Sequence, residues 1–136
     1  VSWLAIATEL GLPITVYGNG TQSRDLLHVS DVISAIDLLL NVAQNNKGGI
    51  FNAGGGPSNV VSLCGMLELI KDIGHKEQIV HHVDERSYDV KTYVTNNEKL
   101  LSLGWHPSMG VLQGISDLVD WVKTERPILR GLYKVK

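Results

Sequence analysis

The chain has 136 residues, of which 43% are hydrophobic and 19% charged, with a formal net charge of −2. Those values suit a single globular domain with a substantial core and exclude a disordered chain. They leave no basic footprint for nucleic acid or an anionic membrane surface. No apolar run reaches the ~20 residues of a membrane-spanning helix, and no stretch reads as a signal peptide. Cys64 is the single cysteine, so no internal disulfide framework is expected, and a lone thiol fits a reducing, cytoplasmic compartment.

Residues 1–10 carry Trp3, Leu4, Ile6, Ala7 and Leu10 at close to helical spacing. Gly11 and Pro13 stop that helix. Val1 falls inside the pattern, so the chain reads as part of a longer one. Ile14-Thr15-Val16-Tyr17 is β-branched and aromatic and predicts a strand. The glycines of Gly18-Asn19-Gly20 let the backbone turn tightly and approach a ligand. Arg24, close behind, offers a planar charged fork suited to phosphate oxygens. The same residues also fit a surface turn with a solvated arginine. The loop is not a dinucleotide fingerprint, because Ser23 stands at the third glycine position and Arg24-Asp25 follows where a helix should begin.

Ser30-Asp31 is placed to cap a helix over residues 31–45, with Val32, Ile36, Leu39, Leu40 and Ala43 as its apolar stripe. Gly48-Gly49 breaks the chain, a short strand over 50–53 follows, and Gly54-Gly55-Gly56-Pro57 turns. Ser62 caps a further helix bearing Leu63, Met66, Leu67, Ile70 and Ile73 and ended by Gly74. Cys64 reads as structural, with no histidine or carboxylate at a catalytic spacing. Residues 78–83 predict a strand whose His81 and His82 project to opposite faces and so cannot share a metal ion. No other metal-ligand spacing is present. Residues 90–94 read as a short strand. Thr95-Asn96-Asn97-Glu98 has the capping-box pattern and opens a short helix ending at Gly104. Ser108 begins the last helix, with Val111, Leu112, Ile115, Leu118, Val119 and Val122 on its buried side. Pro127 is expected to end it, leaving a basic tail to Lys136. Short strands alternating with amphipathic helices predict an α/β class, with residues 1–136 as one domain.

Four segments, in order, carry a family resemblance. The first is Tyr17-Gly18-Asn19-Gly20 continuing to Arg24-Asp25-Leu26-Leu27-His28-Val29-Ser30-Asp31. The others are Phe51-Asn52-Ala53-Gly54-Gly55-Gly56, Arg86-Ser87-Tyr88-Asp89 and Leu103-Gly104-Trp105-His106-Pro107. Together they resemble the extended short-chain dehydrogenase/reductases, and among these the NAD-dependent nucleotide-sugar epimerases and dehydratases. The match is to the C-terminal part of that family only. It implies the substrate-binding portion of a Rossmann-type enzyme, with the N-terminal NAD-binding domain absent from these residues.

In that family the arginines of Arg-Asp and of the later Arg-x-x-Asp grip the substrate's diphosphate. The resemblance therefore implies Arg24 and Arg86 as a clamp, whereas the residues alone favour for Arg86 a surface ion pair with Asp84, Glu85 or Asp89. It further implies Asp89 as an acceptor for a ribose hydroxyl, and the strand through Val16 and Tyr17 as a backbone edge for the nucleobase. Asp25 and His28 read as structural. Two departures are Leu26, where several members carry an aromatic residue, and Ser87-Tyr88, where Pro-Gly is common. The hydride-transfer apparatus of the family is a Tyr-x-x-x-Lys helix and a glycine fingerprint, and neither occurs here. No catalytic residue, metal ligand or cofactor of its own is expected, NAD belonging to the parent family. The implied partner is a nucleotide-diphosphate sugar. A stand-alone nucleotide-binding or regulatory module, or a remnant fold without function, stays open beside this reading. Segment 49–53 would join a sheet built by the absent half, so its unpaired edge and the uncovered helix faces predict a homo-oligomer, most simply a symmetric dimer.

Overall fold

A computed structural model describes residues 1–43 and 49–135. In chain order the elements are α1 (Ser2–Leu10), β1 (Pro13–Tyr17), β2 (Ser23–Asp25), α2 (Val29–Ala43), β3 (Val60–Ser62), α3 (Leu63–Gly74), β4 (Ile79–Val83), β5 (Thr92–Tyr93), α4 (Glu98–Leu101), α5 (Val111–Thr124) and α6 (Arg126–Leu132). They gather in two compact units. One comprises Val1–Gln22, Ser62–Lys91 and Ile115–Lys136, and the other Ser23–Val61 and Thr92–Gly114.

The first unit is built around β1, which pairs in parallel with β4 from Pro13↔Ile79 to Tyr17↔Val83. Ile14 and Val16 are buried while Pro13, Thr15 and Tyr17 face out, the period-two pattern of a strand with one covered face. Helix α1 buries Leu4, Ala5, Ile6, Ala7 and Leu10, and Gly11 closes it in the left-handed region at φ 67°. Helix α3 buries Met66, Leu67 and Ile70, and its first turn is capped as expected: Ser62 Oγ accepts from the Gly65 N–H at 3.0 Å. The left-handed residue that ends α3 is His75, at φ 53°, rather than Gly74. Glu9 is buried yet satisfied, with Lys76 Nζ at 2.9 Å and Arg126 Nε at 3.4 Å, as a charge inside a fold requires. Helix α5 buries Ile115, Val119 and Val122, whereas Leu112, assigned to its buried side from the sequence, is exposed. Pro127 does not end the helical region. It sits in the first turn of α6, where a missing N–H costs nothing.

The second unit carries a three-stranded sheet in the order β3-β2-β5. Strands β2 and β5 are parallel, with Ser23↔Thr92 and Arg24↔Tyr93 in register. Ala35, Leu100 and Trp105 form its core, backed by Leu27, Leu38, Leu39 and Phe51. The covered side of α2 therefore runs through Asp31 and Ala35, about one residue round from the stripe predicted, and Val32, Ile36 and Leu40 are exposed. The helix starts at Val29, so Asp31 lies within its first turn instead of capping it. The capping acceptors come from His28: its carbonyl takes the Asp31 and Val32 N–H groups, and its Nδ1 takes the Ser30 N–H. The predicted end of this helix, residue 45, lies outside the described residues.

Segment 50–53 is not a strand in this structure. No neighbouring strand among the described residues pairs with it, and Ile50 is 84% exposed. The glycine run after it is pinned by side chains instead. Asn97 donates to the Gly54 carbonyl at 2.8 Å and accepts from its N–H at 2.9 Å, and Asp25 Oδ2 accepts from the Gly56 N–H at 3.0 Å and the Thr95 N–H at 3.1 Å. Gly55 is pressed against the Leu26 backbone so closely that a Cβ there would collide with the Leu26 carbonyl. The capping box expected at Thr95 does not form. With the Thr95 N–H taken by Asp25, Asn96 Oδ1 accepts from the Glu98 N–H at 2.8 Å and opens α4.

Candidate functional site

The site grows from the end of β1. Gly18 leaves the strand at φ 72°, a left-handed turn that glycine makes without strain. Its N–H still reaches the Val83 carbonyl at 2.9 Å, so the turn stays attached to the end of β4. Across the same turn His82 Nδ1 lies 3.0 Å from the Gly18 carbonyl. Gln22 Nε2 donates to the Tyr17 carbonyl at 3.1 Å, and Asn19 Oδ1 accepts from the Thr21 N–H and hydroxyl. The loop is thus fixed by its own side chains.

The chain leaving β4 then folds back over it. The Asp89 N–H donates to the Arg86 carbonyl at 3.1 Å, which makes the Arg-x-x-Asp spacing a β-turn with Arg86 and Asp89 at its two ends. Neither Ser87 nor Tyr88 takes a positive φ, so the turn closes without glycine. The Arg86 guanidinium lies over the Tyr17 ring, 3.6 Å from its centroid. Tyr17, Gly18, Asn19, Thr21, Gln22, Glu85, Asp89 and Lys91 line an open cleft beside this stack. Amide, hydroxyl, carboxylate and ammonium groups meet there around one aromatic ring, a set suited to a polar ligand with both planar and charged parts.

Of the residues singled out in the sequence, Tyr17, Arg86 and Asp89 come together in the first unit. Val16 is fully buried, backbone included, and pairs in register with His82, so the structure does not expose it to a ligand. Arg24 belongs to the second unit, on the central strand β2, half-buried and donating through Nη1 to the Ser23 carbonyl at 2.8 Å. Asp25 is structural, as expected. The sequence reading passed over Asn19, Gln22 and Lys91. The signal for the first two was the polar run from Asn19 to Ser23 around Gly20, and Lys91 was hidden in a stretch read as strand.

The glycine loop lies at the start of α3, but that helix end is closed. The Leu63 N–H donates to the Gln22 carbonyl, the Cys64 N–H to the Gly20 carbonyl, and the Gly65 N–H to Ser62 Oγ, each at 3.0 Å. A dinucleotide pyrophosphate draws on such N–H groups, so the residues here do not fit that role. Among the described residues no group of three His, Cys, Asp or Glu is arranged to hold a metal ion, and no helix is long and apolar enough to cross a membrane.

The model of the NAD dependent epimerase/dehydratase family matches residues 1–54. The dTDP-glucose 4,6-dehydratase of Xanthomonas campestris pv. campestris is 34% identical over 139 aligned residues, which cover 95% of this chain and 39% of that protein. The solved structure of MoeE5 in complex with UDP-glucuronic acid and NAD aligns with a TM-score of 0.81 at 27% identity, over 90% of this chain and 40% of that one. The UDP-glucose 4-epimerase of Thermus thermophilus in complex with NAD aligns at 0.76 and 28% identity, over 90% and 39%. The fold is thus the α/β fold of Rossmann-type epimerase and dehydratase structures. Along nearly all of its length the chain is similar to these dehydratase and epimerase proteins, and over residues 1–54 it matches the model of the NAD dependent epimerase/dehydratase family. It spans about two fifths of the length of these relatives.

Proposed function

We propose that this chain is the C-terminal, substrate-binding portion of an NAD-dependent nucleotide-sugar epimerase or dehydratase, and that it binds a nucleoside diphosphate without turning it over alone. The observation that carries this is the cleft at the end of β1, lined by Tyr17 and Asp89, with Arg86 stacked on the Tyr17 ring. The guanidinium fork of Arg86 and the carboxylate of Asp89 match a diphosphate and a ribose hydroxyl respectively, with the Tyr17 ring lying under the guanidinium. The exposed end of β1 at Tyr17 supplies backbone polar groups for the base. Arg24 is proposed as a second diphosphate ligand, on the strength of its Arg-Asp motif. MoeE5, which was solved with UDP-glucuronic acid and NAD, supports a nucleotide sugar as the substrate class. The NAD-binding and hydride-transfer residues belong, on this reading, to sequence outside these 136 residues. A cytoplasmic setting goes with it.

Calorimetric titration of the chain with UDP and dTDP tests the proposal. Binding of at least one is expected, and Arg24→Ala or Arg86→Ala should each weaken it by about 2 kcal/mol, the net worth of a hydrogen bond to a charged group. Equal affinity of the wild type and Arg24→Ala removes Arg24 from the site. Nucleotide-sugar turnover by the purified chain with added NAD would overturn the claim that it is catalytically incomplete.

A further inference from the structure

The contact between Arg86 and Tyr17 has a chemistry separate from what either residue offers a ligand. We propose that Tyr17 is a positioning residue for Arg86: its ring holds the guanidinium flat and in place, so that the in-plane N–H edges are presented to the diphosphate. This rests on the nucleoside-diphosphate reading above and assigns Tyr17 a role exerted through Arg86.

The ring is well anchored. Tyr17 pairs in register with Val83 at the end of β4, its carbonyl is held by Gln22 Nε2 at 3.1 Å, and the next residue is tied to the Val83 carbonyl. Arg86 follows Val83 by three residues, and its own carbonyl closes the turn to Asp89. Both backbones are therefore fixed at the stack. A guanidinium 3.6 Å from the ring centroid is well within the ~6 Å over which the ring face attracts a cation. That attraction uses the face of the planar group. The N–H donors lie in the plane and point outward from its edge, which is the edge that forks onto two oxygens. A long arginine on an exposed turn ordinarily gives up much rotamer freedom when it binds, and a stack formed beforehand removes part of that loss. Asp89, at the other end of the same turn, is placed by the same backbone.

The test is a double-mutant cycle read by calorimetry with UDP, with uridine as the ligand that lacks phosphate. Tyr17→Leu should weaken UDP binding about two- to fivefold, the range set by a cation–π contact at an exposed site. Tyr17→Phe, which keeps the ring face, should bind as the wild type does. In an Arg86→Ala background Tyr17→Leu should cost nothing further, and uridine binding should be unchanged by Tyr17→Leu. A cost that persists in the Arg86→Ala background, or falls equally on uridine, means that Tyr17 acts directly on the ligand and overturns the proposal. A second measurement needs no ligand: the Arg86 Nε–Hε NMR resonance should be displaced upfield by the ring current in the wild type and in Tyr17→Phe, and lose that displacement in Tyr17→Leu. An unchanged resonance in Tyr17→Leu also overturns it. A wild type that binds neither UDP nor dTDP overturns the nucleotide reading and the positioning role with it, whereas binding with an additive cycle overturns only the positioning role.

Discussion

Asp31 offers the sharpest test of what holds the second unit together. Its carboxylate is 2% exposed and takes three hydrogen bonds from across the sequence: the Ser108 N–H at 3.0 Å, the Ser108 hydroxyl at 2.7 Å and the Met109 N–H at 3.0 Å. Replacing it by alanine removes all three. Ser108 is exposed and Met109 half-buried, so water recovers part of each loss. At about 1 kcal/mol net per bond the cost is about 3 kcal/mol. Asp31→Asn keeps the shape but turns an NH2 group toward a donor and loses the charge, for a cost of about 2 kcal/mol. Urea unfolding followed by tryptophan fluorescence reads this directly. Trp105 is buried at 5% exposure while Trp3 and Trp121 are exposed, and Trp105 Nε1 donates to the Asp31 carbonyl and to Ser34 Oγ. Burial alone would raise the Asp31 pKa. The bonds from Ser108 and Met109 and the charge of His28 outweigh it and hold the carboxyl below its ordinary value of 3.8. A group with a depressed folded pKa stabilises the fold fully above its unfolded value, and that stability is lost as pH falls through the folded one. The wild type should therefore lose this increment below pH 3.8, and Asp31→Asn should lack that part of the acid dependence. An Asp31→Asn protein with the wild-type urea midpoint at pH 7 and the wild-type acid profile would refute the account.

Three further outcomes follow from the packing. Gly55→Ala should destabilise by about 3 kcal/mol, near the top of the overpacking range, because the atom its Cβ meets is the Leu26 backbone, which cannot give way; an unchanged thermal midpoint would contradict the close approach. Ser62→Ala should cost about 1 kcal/mol through the lost cap of α3, measurable by the same urea titration, with Ser62→Asp close to the wild type. The purified chain should self-associate at micromolar concentration, since α2 exposes Val29, Ile33, Ile36 and Leu40 along much of its length; light scattering coupled to size exclusion that shows a clean monomer without apolar dye binding would oppose this.

The parts that could be read from the sequence were those that local chemistry decides. The Ser62 cap, the β-branched and aromatic strand β1 and the buried row of α3 each depend on residues within one element. Arg-x-x-Asp was recognised by its letters, and the structure supplies the reason for its spacing in a closed turn. The misreadings turn on partners distant in sequence, either present and competing or missing. Asp31 has the composition of a helix cap, but its carboxylate is claimed by residues 108 and 109, and His28 caps in its place. Thr95 loses its capping box because its N–H is claimed by Asp25. The stripe on α2 was chosen by hydrophobicity, and its apolar residues occur on more than one face, so periodicity could not say which face Trp105 and Leu100 would cover. Segment 50–53 has strand-like residues, yet a strand exists only beside another strand. The Arg86–Tyr17 stack spans 69 positions of sequence, and no pattern within either segment announces it.

The division of the chain has a consequence for its synthesis. Each unit is stitched from separated stretches, the first closing only with Ile115–Lys136 and the second only with Thr92–Gly114. A ribosome releases β1 long before its partner β4 exists, and β2 long before β5. Neither unit can therefore close before these later stretches have been made, and β1 must wait for β4. Chains ended early by a stop codon or a protease would hold no finished first unit, and their exposed strand edges would invite capture by chaperones or by one another.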